Sequence, residues 1–377
     1  MKQVIIVGGG VAGLSVASYL AYYRKFAVTL IDRNSYHLNQ LRLHQSFTKE
    51  FTEFLYPFQK IARIYGIKFV QGDIVIPPES VVGFAKKQQI SVNGKSIHFD
   101  FLVLATGAKE FVLGAGDVAD SKILGLSDFQ TERGMEKFRQ LISRKSGTLQ
   151  IHFLGTGPTS IQFLFELKEY LQRAEREFSI TLLGMEKEVL ASMPEAIQQY
   201  VKQKLQEEGI RYLPQTQFLK ETPGGLRVKN LVSQQESDLQ SSLIFSFPGV
   251  RSYPFILQTN KFGQVEQDNT IHSNIYSAGD CSRFSGSGLN SLTAQAAVRK
   301  GRIIGNNIRT HLYRAKVKPY SYQALGYFVN LGCKDAVGWA FSENTLLTGY
   351  PAIAMKEGID LQLEGMLKGF NTYVDYS

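Results

Sequence analysis

A strand, a tight turn and a helix at the start of the chain constrain the fold more than any other feature. The apolar segment VIIV leads directly into a pattern formed by Gly8, Gly10 and Gly13. Gly8 permits the turn, Gly10 lets a ligand approach the backbone closely, and Gly13 lets the helix pack against the strand. A pyrophosphate would accept hydrogen bonds from the N–H groups at the positive end of this helix. The pattern predicts a dinucleotide-binding turn.

The next apolar segment supports this interpretation. It reads FAVTLID and ends in Asp32, which lies 19 residues after Gly13. An acidic side chain at this separation binds the hydroxyl groups of a nucleotide ribose. We therefore expect two neighbouring parallel strands, with Asp32 at the ribose.

Length and charge limit the classes of protein to consider. With 377 residues, the chain is long enough for two or three domains. Its net charge of +9 favours anionic partners such as nucleotides or acidic lipid surfaces. Nucleic acid is not an expected partner, because the lysines and arginines are scattered and no basic run alternates with aromatic residues.

The cysteine content also limits the chemistry. The chain has two cysteines, Cys281 and Cys333, which form neither a disulfide framework nor a CxxC pair. Both are expected to be buried thiols in a reduced, cytoplasmic protein. No cluster of His and Cys indicates a metal site. Residues 4–23 carry no charge, but three adjacent glycines interrupt them, so this run is not expected to span a membrane.

The strand-turn-helix pattern occurs a second time in the middle of the chain. The segment LQIHFLGTGPTS places Gly155, Gly157, Pro158 and Thr159 at a second turn. Such an internal repeat predicts two nucleotide-binding units. Ser160 stands where a third glycine is usual, which reduces how closely the helix approaches the strand.

Two further segments complete the expected architecture. The segment VVGFAKKQQISVNGKSIHFDFLVLATGA predicts short antiparallel strands with a hairpin turn at its Asn-Gly pair, and then a buried strand. A later strand, IYSAGD, is followed by a helix after Leu292.

These patterns predict an α/β fold with two Rossmann-like, three-layer dinucleotide-binding domains, antiparallel meander insertions and a small C-terminal segment. We expect residues 1–115 and 251–315 to form the first domain and residues 116–250 the second. Residues 316–377 would form the C-terminal segment.

The order of these motifs resembles the two-dinucleotide-binding-domain flavoproteins, the pyridine nucleotide-disulfide oxidoreductase superfamily. Within it, the segments YHLNQLRLHQSF, GTGPTSIQFLFEL, FSFPGVRSYP and TAQAAVRKG are similar to those of type II NADH dehydrogenases, which are NADH:quinone oxidoreductases. The resemblance implies that the first turn binds FAD, that the second binds a pyridine nucleotide, and that a quinone-like molecule accepts the electrons.

The resemblance also assigns individual residues to FAD. Asp32 would bind the adenosine ribose, Arg33 would line the adenine pocket, and Asp280 would accept hydrogen bonds from the ribitol chain. The start of the helix after Leu292 would stabilise the anionic reduced flavin. The FAD-binding residues implied in this way are Gly8, Gly10, Val11, Ala12, Gly13, Asp32, Arg33, Ile74, Thr106, Gly107, Gly279, Asp280 and Gln295.

The second site departs from this family at the end of its second strand. Relatives usually carry a glutamate there for the NADH ribose, and this chain has Gly184. Loss of that charge-assisted pair of hydrogen bonds would cost roughly 1.5–3 kcal/mol. NADPH is slightly favoured, because Lys187 would reach a 2′-phosphate, whereas Glu186 is an alternative ribose partner. The NAD(P)-binding residues implied are Gly155, Gly157, Pro158, Thr159 and Gly249.

The candidate catalytic and acceptor residues follow from the same resemblance. Gln162 matches a glutamate that relatives use in proton handling, and glutamine donates and accepts hydrogen bonds but cannot act as an acid. A purely structural helix residue is the alternative for Gln162. Gln45, Gln295 and Arg299 are the candidate acceptor-site residues, and a solvated helix position is the alternative for Arg299.

The positions of the cysteines make two related reactions of this superfamily less compatible with the chain. Sulfide:quinone and disulfide-reductase chemistry need cysteines near the flavin in the middle of the chain, and none precedes Cys281. His37 and His44 are expected to be hydrogen-bonded loop residues rather than catalytic ones.

The C-terminal segment lies where type II dehydrogenases have membrane-surface helices. A helix is expected from Pro351 to Gly369, but its apolar face is interrupted by Lys356, Glu357, Asp360 and Glu364. Peripheral contact with the inner face of a membrane, a homodimer contact and a simple covering helix are three alternatives for it.

The complete sequence predicts an FAD-dependent NAD(P)H dehydrogenase that passes electrons to a quinone-like acceptor. An FAD-binding redox sensor or partner-binding module with weakened dehydrogenase activity is the alternative, because Gly184, Gln162 and Arg299 all depart from the relatives. A flavoenzyme for a small organic substrate is a third hypothesis.

Overall fold

The computed structural model describes residues 1–74, 76, 80–110, 121–143, 147–252, 256–313 and 316–372. The domain boundaries expected at residues 115 and 315 lie outside these ranges.

The first part of the chain begins as the glycine pattern predicts, with a buried strand, a turn and a helix. Its elements are β1 (Lys2–Val7), α1 (Val11–Tyr22), β2 (Phe26–Asp32), β3 (Tyr36–Leu38), β4 (Leu55–Pro57), α2 (Phe58–Tyr65), β5 (Lys68–Gln71), α3 (Ser80–Lys87), β6 (Gln89–Val92), β7 (Lys95–His98), β8 (Phe101–Leu104) and β9 (Ala108–Glu110). Two 3-10 helices, Gln40–Phe47 and Phe51–Phe54, lie between β3 and β4.

The expected meander in this region is partly wrong. Residues 80–87 form helix α3 rather than a strand, whereas β6 and β7 form the expected antiparallel hairpin at Asn93 and Gly94. Val81, Phe84 and Ala85 are spaced three and four residues apart, which places them on one helical face. That face packs against the apolar cluster beside the large sheet.

The middle of the chain forms a second α/β unit. Its elements are β10 (Ile123–Gly125), α4 (Leu126–Phe129), α5 (Glu132–Ser143), β11 (Leu149–Leu154), α6 (Pro158–Arg173), β12 (Phe178–Leu183), α7 (Glu195–Glu207), β13 (Arg211–Leu213), β14 (Thr216–Thr222), β15 (Gly225–Asn230), β16 (Glu236–Gln240), β17 (Leu243–Ser246) and β18 (Val250–Ser252). β14, β15 and β16 form an antiparallel meander.

The last third of the chain completes the first unit and adds a C-terminal layer. Its elements are β19 (Leu257–Thr259), β20 (Gln264–Gln267), β21 (Thr270–Ser277), a 3-10 turn (Gly279–Cys281), β22 (Ser282–Phe284), α8 (Ala294–Thr310), β23 (Gly326–Asn330), β24 (Ala336–Ala340), β25 (Ser342–Thr348) and α9 (Gly349–Leu367).

The large sheet combines strands from the first and last thirds of the chain. It has eight strands in the order β22-β19-β20-β21-β8-β1-β2-β5, and β21, β8, β1, β2 and β5 are parallel. Helix α8 returns to pack on α1, and glycines permit the close approach. A Cβ on Gly301 would lie 2.5 Å from the carbonyl oxygen of Ala12, and one on Gly305 would lie 2.8 Å from the ring of Tyr19. The pairing of distant segments thus builds the first nucleotide unit.

The five-stranded sheet has the order β10-β17-β11-β12-β13, and all its strands are parallel. Its core is aromatic: the rings of Phe153 and Phe245 stack with centroids 4.6 Å apart. Val329 and Trp339, from β23 and β24, belong to the same apolar cluster. The C-terminal layer is therefore packed against the second unit.

Helix α9 is unusual because charged side chains occupy its buried face. Lys356, Asp360 and Glu364 are buried, while Tyr350 and Leu361 on the opposite face are 75% and 59% exposed. Among the described residues, no helix has the length and hydropathy needed to cross a bilayer.

Candidate cofactor and substrate sites

The first glycine turn has the geometry of a phosphate cradle. Gly8 adopts a φ of 105°, and a Cβ there would lie 2.2 Å from the carbonyl oxygen of Ala105, so only glycine fits. A Cβ on Gly13 would lie 1.9 Å from the oxygen of Gly8, which shows how closely α1 meets β1. At Gly10, the N-cap of α1, a Cβ would meet no atom within 4 Å. That open space fits a pyrophosphate.

Asp32 closes the turn from the neighbouring strand. Its Oδ2 accepts a hydrogen bond from the N–H of Gly9 at 2.7 Å, and its Oδ1 accepts one from the N–H of Asn34 at 2.8 Å. Each carboxylate oxygen retains a further lone pair for a ribose hydroxyl. The residues present fit the adenosine end of FAD.

His37 lies against the same turn. Its Nδ1 is 2.9 Å from the carbonyl oxygen of Gly9. Since a carbonyl only accepts, Nδ1 carries the proton and Nε2 is an acceptor. Nε2 is buried without a hydrogen-bond partner, and burial lowers the pKa of His37. A neutral, unpartnered acceptor beside the cradle suits a ligand hydroxyl.

Gly279 and Asp280 approach the start of α1 from the other end of the chain. Gly279 has a φ of 78°, and a Cβ there would lie 2.9 Å from the Cβ of Ala12. Burial raises the pKa of Asp280, and the nearby charge of Lys300 opposes that rise. The site therefore brings a carboxylate to the helix that holds the phosphate cradle.

Lys300 is a buried cation that the sequence did not single out. Its Nζ donates to the carbonyl oxygens of Gly279 at 3.3 Å and Ser282 at 2.7 Å. Burial lowers the pKa of Lys300 to about 8, against the opposing charge of Asp280. Lys300 therefore connects α8 to the Gly279–Cys281 turn. Its position within the TAQAAVRKG segment is the sequence feature that could have identified it.

The remaining residues assigned to FAD surround the same region. Thr106 is exposed just beyond β8, and Gly107 has a φ of 79°. Ile74 is partly buried against the cluster beside the large sheet. Arg33 is exposed after β2, and its carbonyl oxygen accepts a hydrogen bond from Gln71. Val11 and Ala12 are the first two residues of α1.

Helix α8 begins where the sequence places it. The hydroxyl of Thr293 accepts a hydrogen bond from the N–H of Ala296 at 3.3 Å and caps the helix. The side chain of Gln295 contacts the C-terminal layer, because its Nε2 donates to the oxygen of Gly326 at 3.3 Å and its Oε1 accepts from the hydroxyl of Tyr322 at 2.6 Å. The guanidinium of Arg299 lies 5.9 Å from the same tyrosine ring.

Three elements meet at Gln162. Its Oε1 accepts a long hydrogen bond from the N–H of Asn330 at 3.5 Å, and the side chain of Asn330 lies 3.4 Å from Nε2 of His44. Burial lowers the pKa of His44 to about 3. The Oε1 of Gln45 is buried without a hydrogen-bond partner. Helix α6, the Gln40–Phe47 turn and β23 thus form a neutral polar cluster, whereas Gln295 and Arg299 lie at α8.

One turn further along α6 lies an acid that no sequence motif singles out. Glu166 is buried. Burial, followed by the charge of Glu169, raises the pKa of Glu166 to about 7. This carboxyl group therefore changes its charge near neutral pH.

The two cysteines differ in exposure. Cys281 is buried and its Sγ lies 3.3 Å from the oxygen of Ala278. The expectation that Cys333 is buried is wrong: it is exposed in the loop after β23, where its N–H donates to Glu169. Across the described ranges, no three His, Cys, Asp or Glu residues are grouped so as to hold a metal ion.

The second turn repeats the backbone of the first. Gly155 has a φ of 104°, and its N–H donates to the oxygen of Leu183 at 2.9 Å, as the N–H of Gly8 donates to Ile31 at 2.8 Å. Gly157 caps α6, followed by Pro158 and Thr159, and a Cβ on Gly157 would meet no atom within 4 Å. Gly249 has a φ of 106°.

The third position of the second turn differs in its packing. Ser160 is fully buried, and its hydroxyl has no hydrogen-bond partner. The strand end also differs, because Gly184 stands at the position of Asp32. Lys187 and Glu186 are exposed in the loop that follows.

Comparison with known proteins is consistent with this architecture. The family model described as "Pyridine nucleotide-disulphide oxidoreductase" matches residues 2–301, and the chain belongs to that family. It is 25% identical over 389 residues to the type II NADH:quinone oxidoreductase of Staphylococcus aureus strain NCTC 8325 / PS 47, covering 95% of this chain and 94% of that protein. The fold prediction and the resemblance stated from the sequence are confirmed.

Two solved structures share the fold. NDH2 from Plasmodium falciparum in complex with NADH gives a TM-score of 0.79 at 13% identity, covering 98% of this chain and 96% of that one. The sulfide:quinone oxidoreductase of Aquifex aeolicus gives a TM-score of 0.77 at 16% identity, covering 98% and 92%. At these identities the likeness concerns the fold alone. Family and fold make the protein a pyridine nucleotide-dependent oxidoreductase of the two-nucleotide-site type.

Proposed function

We propose that the protein is an FAD-dependent NAD(P)H:quinone-type oxidoreductase. The duplicated glycine turn is the observation that supports this most. Two turns with the same backbone hydrogen bonds and the same open N-cap glycine suit two dinucleotides, and Asp32 supports the assignment of FAD to the first. Bound FAD would accept a hydride from NAD(P)H and pass two electrons to the acceptor.

The residues of the first site would position the cofactor and stabilise charge. Gly8 and Gly10 would hold the pyrophosphate, and Asp32 would bind the adenosine ribose. Asp280 would accept hydrogen bonds from the ribitol chain. Lys300 would hold the backbone of the Gly279–Cys281 turn in place. The start of α8 would place its partial positive charge at the flavin, which favours the reduced form. Arg33, Ile74, Thr106 and Gly107 would line the rest of the site.

The second site would bind the pyridine nucleotide at Gly155, Gly157, Pro158, Thr159 and Gly249. NADPH would be slightly favoured over NADH, because no carboxylate is present at Gly184 and the exposed Lys187 follows it. The nicotinamide would lie toward Gln162, whose amide can orient a ring but cannot supply a proton as an acid would.

The acceptor would be a quinone or a similar small molecule. The named relative from Staphylococcus aureus is a quinone oxidoreductase, which supports this choice. Gln45, Gln295 and Arg299 would face the acceptor, and the unpartnered Oε1 of Gln45 supports its assignment. Gln295 already bonds to Tyr322 and Gly326, so it would act from a fixed orientation.

Helix α9 would lie on a membrane surface that supplies a quinone. Its inward charges satisfy one another, and its outward face presents Tyr350, Leu361 and neighbouring small residues. An exposed apolar face on a chain of net charge +9 suits an anionic lipid surface. A second copy of the chain is the other occupant of this face, and dimerisation in the absence of lipid would favour it.

Anaerobic stopped-flow measurements test the proposed activity. Mixing the yellow protein with NADPH or NADH should bleach the flavin absorbance, and a soluble quinone should restore it. A protein that binds FAD but is bleached by neither nucleotide would contradict the proposal and favour the redox sensor or partner-binding module.

A further inference from the structure

The two nucleotide turns differ in which of two positions carries a side chain: the middle of the turn or the end of the neighbouring strand. In the first turn the middle residue is Gly9 and the strand-end residue is Asp32, which are joined by the 2.7 Å hydrogen bond. In the second turn the middle residue is Thr156 and the strand-end residue is Gly184. The two strand ends are equivalent in their backbone bonding. The N–H of Gly8 donates to the carbonyl oxygen of Ile31, the residue before Asp32, and the N–H of Gly155 donates to the carbonyl oxygen of Leu183, the residue before Gly184.

Thr156 occupies the space that a side chain at position 184 would need. A Cβ on Gly184 would lie 2.3 Å from Cγ2 of Thr156, 3.1 Å from its Oγ1 and 3.3 Å from its Cβ. Threonine is branched at Cβ and has few χ1 alternatives. Its carbonyl oxygen also accepts a hydrogen bond from the N–H of Leu190 at 3.0 Å, and the residue is buried. Thr156 therefore cannot move aside easily.

The first turn lacks this obstruction. A Cβ on Gly9 would collide with the ring of Phe58 at 2.1 Å, so glycine is required there and the space beside the strand end belongs to Asp32. In the second turn, the residue in the middle thus determines whether the strand end can carry an acid.

We propose that Thr156 and Gly184 act as a coupled pair that determines which pyridine nucleotide the second site accepts. This inference rests on the proposed function. Thr156 keeps the strand end free of a carboxylate, so a 2′-phosphate meets no negative charge at that position and Lys187 can pair with it. The site therefore accepts a 2′-phosphorylated pyridine dinucleotide and binds the unphosphorylated form less tightly.

A double-mutant cycle separates this coupling from a simple missing acid. The FAD-loaded wild type, T156G, G184E and T156G/G184E are titrated with NAD⁺ and NADP⁺ by calorimetry. We expect wild type to bind NADP⁺ more tightly. G184E alone should weaken both nucleotides and lower the melting temperature, because the new side chain collides with Thr156. The double variant should reverse the preference and bind NAD⁺ about tenfold more tightly than wild type does, as expected for a restored charge-assisted hydrogen bond.

T156V/G184E is the matched control. Valine keeps the branched shape of threonine and lacks its hydroxyl, so this variant should behave like G184E and not like T156G/G184E. Purely additive effects, in which G184E gains NAD⁺ affinity without T156G, would overturn the proposal. A wild type that prefers NAD⁺ would overturn it as well.

Failure of the proposed function gives a different result. In that case neither NADH nor NADPH bleaches the flavin of the wild type, whatever the variants do. The coupling would still be supported if melting temperatures were non-additive and the double variant alone gained NAD⁺ binding. It would be refuted if the four melting temperatures were additive.

Discussion

The N–H of Gly9 and the carboxylate of Asp32 form a 2.7 Å hydrogen bond that joins the first turn to the end of β2. The same carboxylate accepts from the N–H of Asn34. Asp32 is thus fixed before any ligand binds, and fixed acceptors bind a ribose at a lower entropic cost than mobile ones do.

We expect D32A to weaken FAD binding by about tenfold to a hundredfold, which corresponds to the loss of charge-assisted hydrogen bonds. Fluorescence titration of the stripped protein with FAD measures the affinity. D238A removes an exposed aspartate of β16 that forms a surface ion pair with Arg227 and should leave the affinity unchanged. Unaltered FAD affinity in D32A would contradict the assignment of Asp32 to the ribose.

Substitution of Gly10 should abolish FAD binding, whereas substitution of Gly8 should reduce the stability of the fold. A side chain on Gly10 meets open space, so G10V should fold normally, with the circular dichroism of wild type, and should fail to retain FAD. A side chain on Gly8 meets the oxygen of Ala105 at 2.2 Å, in a backbone with a φ of 105°. G8A should therefore lose stability, by about 1–3 kcal/mol for backbone strain alone.

Chemical unfolding and the flavin absorbance of the purified variants measure these two effects. Retention of FAD by G10V would show that the open space at this N-cap does not hold the pyrophosphate.

Glu166 should make stability depend on pH. Its folded pKa of about 7 lies above the usual value of 4.5 for a glutamate, so folding favours the protonated form. The associated stability is present below pH 4.5 and is lost as the pH rises through 7, and it amounts to about 3 kcal/mol. E166Q cannot ionise and should be more stable than wild type at pH 8 by about this amount.

Urea unfolding at pH 5 and pH 8 measures this difference, which should be small at pH 5. E136Q, at an exposed position of α5, is the control and should follow the wild type at both values. An equal effect of E166Q at both pH values would contradict the raised pKa.

Arg42 should hold helix α9 in place. Its guanidinium is 2.9 Å from Glu364, 3.2 Å from Glu357 and 3.8 Å from the buried Asp360, which also pairs with Lys356 at 2.8 Å. Removing one partner of a buried ion pair costs about 3–5 kcal/mol, because the remaining charge is left unpaired. R42A should lower the stability by an amount at the lower end of that range, since Lys356 still neutralises Asp360.

The ion pair between Arg139 and Glu50 supplies the control, because both side chains are at least half exposed. R139A should change the free energy of unfolding by less than about 1 kcal/mol. If R42A and R139A reduced the free energy of unfolding by the same small amount, the charges on α9 would not anchor the helix.

Membrane contact through α9 predicts a specific effect of Leu361. L361D should reduce co-sedimentation with phosphatidylglycerol vesicles by roughly tenfold, since burying a leucine contributes about 1.5–3 kcal/mol. Flavin reduction by NAD(P)H should not change, because Leu361 lies on the outer face. V232D alters another exposed apolar residue, 70% exposed, and should not reduce binding. Equal vesicle binding by all three proteins would contradict lipid docking.

The sequence predicted the local features well. The two glycine turns, Asp32 and the start of α8 all depend on residues close together in the chain, where spacing alone carries the signal. The pattern does not predict the helix at residues 80–87, because a short apolar run has helical and extended interpretations of similar weight. The position of Cys333 depends on a loop that Glu169 holds, and no local pattern indicates that contact.

Contacts between distant segments could not be predicted. Arg42 meets α9, and His44 meets Asn330, across about three hundred residues, so their partners depend on how the C-terminal layer packs. Gly184 was visible as a missing acid. That Thr156 fills its space follows only from the register that places Leu154 opposite Leu183. The roles of all these residues toward ligands stay predictions.

The order of strands in the large sheet has a consequence for biosynthesis. β8 pairs with β1 on one side and with β21 on the other, and α1 packs against α8, so the segment from β21 to α8 must leave the ribosome before the first nucleotide unit can close. The five-stranded sheet needs only residues 123–246 and can form earlier. During synthesis the open edge of β8 and the uncovered side of α1 would be exposed to aggregation. We expect the nascent chain to need chaperone protection over that interval, and the cofactor to bind only after α8 has been synthesised.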